Sequence, residues 1–390
     1  MEEKAISKEK HSKHAKLAKP MGGSYHRQEW AILGTPCGEI RKLVGSLCAA
    51  LGEKWKLAYL DEDHKASEEE YSHSMLSGHA FLEAINKINY FRFDHATAPS
   101  SFEAKAIFNP LDAVFINGNH FAASRQIVVI DPRKDVVKKM DRLTNISLVL
   151  MTEGQTQIPE EVQSRMNPGT PVISIADTQR IINWMASQLE LSVAPVKGLV
   201  LAGGKSQRME ADKGLIFYHG KPQREYMYDL LSAAGIQPHL SIRTDQTYSV
   251  SEEANTVMDR FLGLGPYGAI LSALMSDPNA AWLSVACDLP LLAKEHIDLL
   301  LQYRNPSKVA TAFYNPETDF PEPLITVWEP KAYQVLLNYL AQGYSCPRKV
   351  LINSDIELVN VVDHAFMMNA NTPDEKDKAL NLIAASAKFN

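Results

Sequence analysis

A chain of 390 residues is longer than one hydrophobic core usually supports, so two domains are expected, each large enough to bury a sizeable core of its own. With 45% hydrophobic and 22% charged residues it groups with globular proteins, and no segment approaches the ~20 consecutive apolar residues of a membrane helix. The formal net charge of -6 argues against general affinity for nucleic-acid backbones and leaves room for a local basic patch around a phosphorylated ligand.

The N-terminal stretch alternates charges through Lys4, Lys8, Lys10, Lys13 and Lys16 and has no apolar secretory core, which predicts a cytoplasmic protein. Residues 1–27 read as a flexible basic tail whose His11, His14 and His26 are solvated rather than metal-bound. Cys37, Cys48, Cys287 and Cys346 show no paired ligand spacing, so neither disulfides nor zinc are expected.

From Trp30 onward, short apolar runs alternate with stretches of helical period, the pattern of parallel strands covered by helices on both faces. The expected fold class is α/β, with two doubly wound, mostly parallel-sheet domains over residues 28–190 and 197–390. In the first, strands are predicted near 31–34, 56–60, 111–117, 126–130, 146–151 and 171–175. Its closing helix, 177–190, carries Ile181, Ile182, Trp184, Met185 and Leu189 on one core-facing side, with Asp177 or Thr178 as cap. Between the first strand and the first helix, Gly34-Thr35-Pro36-Cys37-Gly38-Glu39-Ile40-Arg41 occupies the place of a G-x-x-x-x-G-K-[ST] phosphate loop. Glu39 replaces the second glycine, Ile40 the lysine and Arg41 the hydroxyl, so this unit is not expected to hydrolyse nucleotide; a purely structural turn is the alternative.

Leu191-Ser192-Val193-Ala194-Pro195 breaks the helix, and residues 191–196 read as a linker. The second series has strands near 197–202, 240–243, 256–259, 281–286, 309–313 and 323–328, and a helix over 267–275. Its first strand runs into a loop where Gly203 and Gly204 let phosphate approach converging backbone N–H groups, while Arg208 and Lys213 add two cations. Asp288 ends an apolar strand, where open α/β sheets form their ligand crevice, and its hard oxygen suits Mg²⁺; the alternative is a helix cap or turn former.

The string Leu201-Ala202-Gly203-Gly204-Lys205-Ser206-Gln207-Arg208-Met209-Glu210-Ala211-Asp212-Lys213 resembles the LAGGxSxRMGxDK signature of nucleotidyltransferases related to the molybdenum cofactor guanylyltransferase MobA. Asp259 with Gly263-Leu264-Gly265-Pro266-Tyr267-Gly268 resembles the aspartate and GPLxG loop of that family, Cys287-Asp288-Leu289-Pro290 its CDxP motif, and Asn369-Ala370-Asn371-Thr372-Pro373 its NxNTP motif. The resemblance covers residues 196–390 and implies a Rossmann-like nucleotidyltransferase. It implies that GMP passes from GTP to the molybdopterin phosphate, with Arg208, Lys213 and Asp288 catalytic and Asp288 holding Mg²⁺. Leu201, Ala202, Gly203, Gly204, Lys205 and Ser206 would meet the nucleotide, Asp259 its guanosine portion, Gly265 and Gly268 would leave room, and Asn369 and Asn371 would stand near the acceptor or the metal. Two departures concern the substrate: Glu210 stands at a family glycine, and Arg243 at a position that often carries a nucleotide-contacting asparagine.

Residues 28–190 resemble MobB, the GTP-binding accessory protein of the same pathway, through the altered loop, the run Trp55 to His64, the segments 111–118 and 126–131, and the closing strand and helix. Asn117 replaces that family's acidic residue, and the resemblance implies a degenerate P-loop NTPase-like unit that docks a partner, such as a molybdoenzyme or cofactor-delivery protein, or orients the cofactor. CTP-dependent cytidylyl transfer, a sugar-phosphate acceptor and a noncatalytic delivery scaffold remain open alternatives at this point.

Overall fold

In the computed structural model, residues 25–62, 71–72, 74–202, 213–243 and 254–386 are described. Among them, two main sheets follow one another along the chain. The first contains β1 (Gln28–Leu33), β2 (Leu57–Leu60), β5 (Ala113–Asn117), β6 (Arg125–Ile130), β7 (Ile146–Met151) and β8 (Val172–Ser174) in the order β2-β5-β1-β6-β7-β8. All its pairings are parallel. Continuous apolar runs such as Ala113–Asn117 are buried along their whole length, as parallel strands covered on both faces must be. On one face Trp30, Ile32, Phe115 and Leu148 pack on the helices Cys37–Leu51 and Thr178–Leu191; on the other, Leu33, Val128 and Val149 pack on Val136, Leu143 and Val162. Asp177 caps the Thr178–Leu191 helix by accepting from Arg180 N at 3.1 Å.

A separate hairpin, β3 (Leu82–Asn86) and β4 (Phe91–His95), carries exposed Phe81, Leu82, Phe91 and Phe93 and was not foreseen from the sequence. The predicted tail also needs correction at its end. Tyr25 packs against Tyr333, and the His26 ring hydrogen-bonds the Ser192 carbonyl at 2.7 Å. Arg27 is 2% exposed, donates to Asn109 Oδ1 at 2.6 Å and pairs with Glu29. Apart from Glu29, these partners lie far along the chain, so local charge pattern reads as solvated what tertiary contact buries. Residues 1–24 lie outside the described residues.

The second sheet contains β9 (Val196–Leu201), β10 (Gln237–Ile242), β11 (Thr256–Met258), β12 (Ala281–Ala286), β13 (Ala310–Asn315), β14 (Phe320–Trp328) and β15 (Glu357–Val359), in the order β11-β10-β9-β12-β14-β13-β15. β14 runs antiparallel to β12 and β13; the remaining pairings are parallel. After β9 the chain crosses to β10 on one side and later to β12 on the other, which opens a switch-point crevice beyond the C-terminal ends of β9 and β12. No helix among the described residues is long and apolar enough to cross a membrane.

Candidate functional site

β9 delivers Leu201 and Ala202 to the crevice. The sequence-predicted Gly203, Gly204, Lys205, Ser206 and Arg208, together with Glu210, lie outside the described residues, as does the Lys213 side chain. The backbone resumes as a tight turn, Lys213–Leu215, with Gly214 on the crevice wall. The helix Gln223–Ala233 packs on that turn, and Gln223 N donates to Ile216 O at 2.9 Å.

On the opposite wall, β10 contributes Ser241 and Arg243, and the end of β11 contributes Asp259. Asp259 N donates to Ile242 O at 2.9 Å, and Ser241 Oγ to Asp259 Oδ1 at 2.7 Å. Burial pushes the Asp259 carboxyl above its ordinary value, while the Ser241 hydrogen bond and the Arg243 charge oppose that shift. Past Asp259 the chain turns through Gly263 at φ +79° and Gly265 at φ +56°, a backbone that favours glycine, into the helix Pro266–Ser276 with proline at its first residue. Gly265 lines the crevice. Gly268 does not: it is packed on the loop behind, where an added Cβ would stand 2.1 Å from the Phe261 carbonyl oxygen.

The third wall is the end of β12, where Ala286, Cys287 and Asp288 face the same cavity of about 400 Å³ as Ala202, Gly214, Asp259 and Gly265. Of the residues singled out from sequence, Leu201, Ala202, Arg243, Asp259, Gly265 and Asp288 thus meet around one space. Asn369 and Asn371 approach from the chain's end, with Ala370 N donating to Asp288 O at 2.9 Å. Glu375 accepts from Asn371 N at 2.7 Å and Thr372 N at 3.0 Å, which fixes this segment to the helix Pro373–Ser386.

Three buried groups were not singled out from sequence, and two of them, Glu322 and Tyr218, lie within electrostatic reach of Asp288. Glu322, on β14, is fully buried; its carboxyl accepts from Leu324 N at 3.1 Å and lies 3.5 Å from Arg348. Burial raises its pKa and the nearby Asp288 adds to that shift, against the opposing Leu324, Asn315 and Arg348 interactions. Burial pushes the Tyr218 hydroxyl up to about 12, Asp288 again adding, and that hydroxyl has no hydrogen-bond partner among the described residues. Gln223 is fully buried with neither amide atom partnered among those residues. A Glu-Pro-Leu string in an apolar run was the available signal for Glu322; nothing local marks Tyr218.

The donor set fits a hard cation. Asn369 Oδ1 is buried without a partner among the described residues, one residue before the Ala370 N–H that donates to the Asp288 carbonyl. No three His, Cys, Asp or Glu side chains form a closed cage among the described residues. Carboxylate and amide oxygens are the donor class that hard divalent cations take.

Residues 198–356 match the MobA-like NTP transferase domain. The chain is 35% identical over 202 residues to the molybdenum cofactor biosynthesis bifunctional protein of Synechocystis sp., covering 52% of this chain and 58% of that protein; it therefore spans little more than half of that relative's length. It is 28% identical over 192 residues to the probable molybdenum cofactor guanylyltransferase of Carboxydothermus hydrogenoformans, covering 47% of this chain and 95% of that one. Among solved structures, molybdopterin-guanine dinucleotide biosynthesis protein A from Archaeoglobus fulgidus shares 20% identity at a TM-score of 0.42, over 49% of this chain and 99% of that chain.

Proposed function

We propose that this chain, whose second half carries a MobA-like NTP transferase domain, transfers GMP from GTP to the phosphate of molybdopterin with release of pyrophosphate. What supports the reading is the single cavity shared by Ala202, Gly214, Asp259 and Asp288 at the switch point of the second sheet. Residues 197–390 act as the transferase and residues 28–190 as an accessory unit of cytoplasmic function, which docks a molybdoenzyme or delivery protein.

In this reading the glycine loop after Ala202 and the Lys213 cation hold the triphosphate, and Asp259 with Ser241 receives the nucleoside side of the crevice. Asp288, with Asn369 and Asn371 beside it, would hold Mg²⁺. When bound, that ion supplies charge neutralisation on the phosphates. No side-chain nucleophile is required, because the acceptor phosphate oxygen attacks the α-phosphorus while the protein positions both partners. Cys287 is buried at 4% exposure and belongs to the strand's packing.

Arg243 on the base side of the cavity makes guanine choice the point to test. Pyrophosphate release from Mg-GTP and Mg-CTP should be compared with molybdopterin as acceptor. GTP turnover is expected to exceed CTP turnover, and Asp288→Asn to lower it by ~10³-fold or more. Preference for CTP would overturn the guanylyl assignment, and full activity of Asp288→Asn would remove Asp288 from the site.

A further inference from the structure

The altered phosphate loop of the first half places a different chemistry where its anion cradle is lost. Cys37 is the first residue of the fifteen-residue helix Cys37–Leu51 and is partly exposed. Its Sγ lies 3.4 Å from His120 Nε2. The other ring nitrogen, Nδ1, lies 3.5 Å from Glu62 Oε2, so a thiol, an imidazole and a carboxylate stand in sequence. The His120 side chain is only 15% exposed, which limits its freedom to turn away.

Two further groups gather near the sulfur. The buried Asn119 amide donates to Cys37 Sγ at 3.8 Å and is itself anchored to the Thr35 carbonyl at 2.9 Å. Lys139 Nζ is held by Asn119 O at 3.2 Å and Asn119 Oδ1 at 3.1 Å, which places its ammonium close to the Asn119 amide that reaches Cys37. Helix N-terminus, amide donor, imidazole and ammonium therefore act on one thiol, the setting in which cysteines become nucleophilic.

We propose that Cys37 is a reactive thiol, activated by His120 and positioned by Glu62, whose co-reactants are small hydroperoxides. The thiol proton passes to His120. The thiolate attacks the terminal peroxide oxygen; an S–O bond forms and the O–O bond breaks. The departing alkoxide or hydroxide takes the proton back from His120 and leaves as alcohol or water. Sulfur loses two electrons to become a sulfenic acid, and the peroxide gains them. This site is independent of nucleotidyl transfer.

The test uses the full-length protein, brief exposure to limiting hydrogen peroxide, trapping with dimedone, and mass spectrometry of each cysteine peptide. Cys37 is expected to be labelled about tenfold faster than exposed Cys346, and than Cys37 itself in urea-unfolded chain. Its alkylation by iodoacetamide at fixed pH should likewise run about tenfold faster than in the unfolded chain. His120→Gln should slow labelling to the rate of the unfolded chain, and Glu62→Gln, at a half-exposed position, should slow it in part without unfolding the protein. Cys37→Ser should abolish the label and leave nucleotidyl transfer unchanged. Labelling of Cys37 no faster than in the unfolded chain, or an unchanged labelling rate in folded His120→Gln or in Glu62→Gln, would overturn the proposal.

Discussion

Glu322 shows how a single carboxyl can tie the site to stability. It is fully buried beside Asp288, and burial raises its pKa above the ordinary glutamate value of 4.5. A carboxyl with a raised folded value holds its proton more tightly in the fold than in the unfolded chain. The stability it contributes is therefore complete below about 4.5 and is lost as pH climbs through the raised value. Glu322→Gln keeps the shape and stays neutral, so its melting temperature should exceed that of the wild type near about pH 8 and converge with it near about pH 4. An equal gap at both pH values would show that the ionised carboxyl is well compensated by Arg348. The same residue marks a limit of sequence reading: Asp288 and Asp259 announce themselves through neighbouring motifs, whereas the burial of Glu322 and Tyr218 exists only once β14 and the chain's end have folded onto β12.

At the scale of an element, the helix Pro266–Ser276 sets one wall of the cavity through the loop that precedes it. Gly268, in its first turn, lies so close to the Phe261 carbonyl that Gly268→Ala must shift either the helix or the loop carrying Gly263 and Gly265. Overpacking of this kind costs ~1–3 kcal/mol, and the displaced wall should raise KM for the nucleotide more than it lowers kcat. Kinetics matching the wild type would mean the loop relaxes without reaching the cavity. Elements of this sort were legible in the sequence wherever an apolar run is buried on both faces: β7 and β12 have the predicted bounds, and the others lie within a few residues. The antiparallel direction of β14 was not legible, because an apolar run fixes burial and says nothing of strand sense. The β3–β4 hairpin was missed because neither strand has a buried face, and β15 because three residues carry no period.

Across the whole molecule, the two sheets meet through a buried ion pair. Lys331 Nζ lies 2.5 Å from Asp112 Oδ1, with side chains 5% and 10% exposed. Asp112 also accepts from Ser307 Oγ at 2.5 Å and from Lys56 N at 2.8 Å, while Lys331 donates to Ser307 O at 3.1 Å. Around this pair, Lys56 bridges to Asp355 at 2.7 Å and Asn109 to Gln334 at 3.0 Å, so charge and hydrogen bonds of both halves close on one another. Burial lowers the Lys331 pKa and Asp112 acts against that shift, which makes the lysine dependent on its partner. Removing only the cation in Lys331→Met strands a buried carboxylate and should cost ~3–5 kcal/mol at the junction. The loss falls on the contact between the halves rather than on either core, since the apolar clusters of each sheet are separate. Calorimetry should therefore show one transition for the wild type, two for Lys331→Met, and a return towards one for the double variant Asp112→Asn, Lys331→Met, whose remaining groups are neutral. If Lys331→Met melts in a single transition at the wild-type temperature, the two halves are still coupled and the Asp112–Lys331 pair is not what couples them.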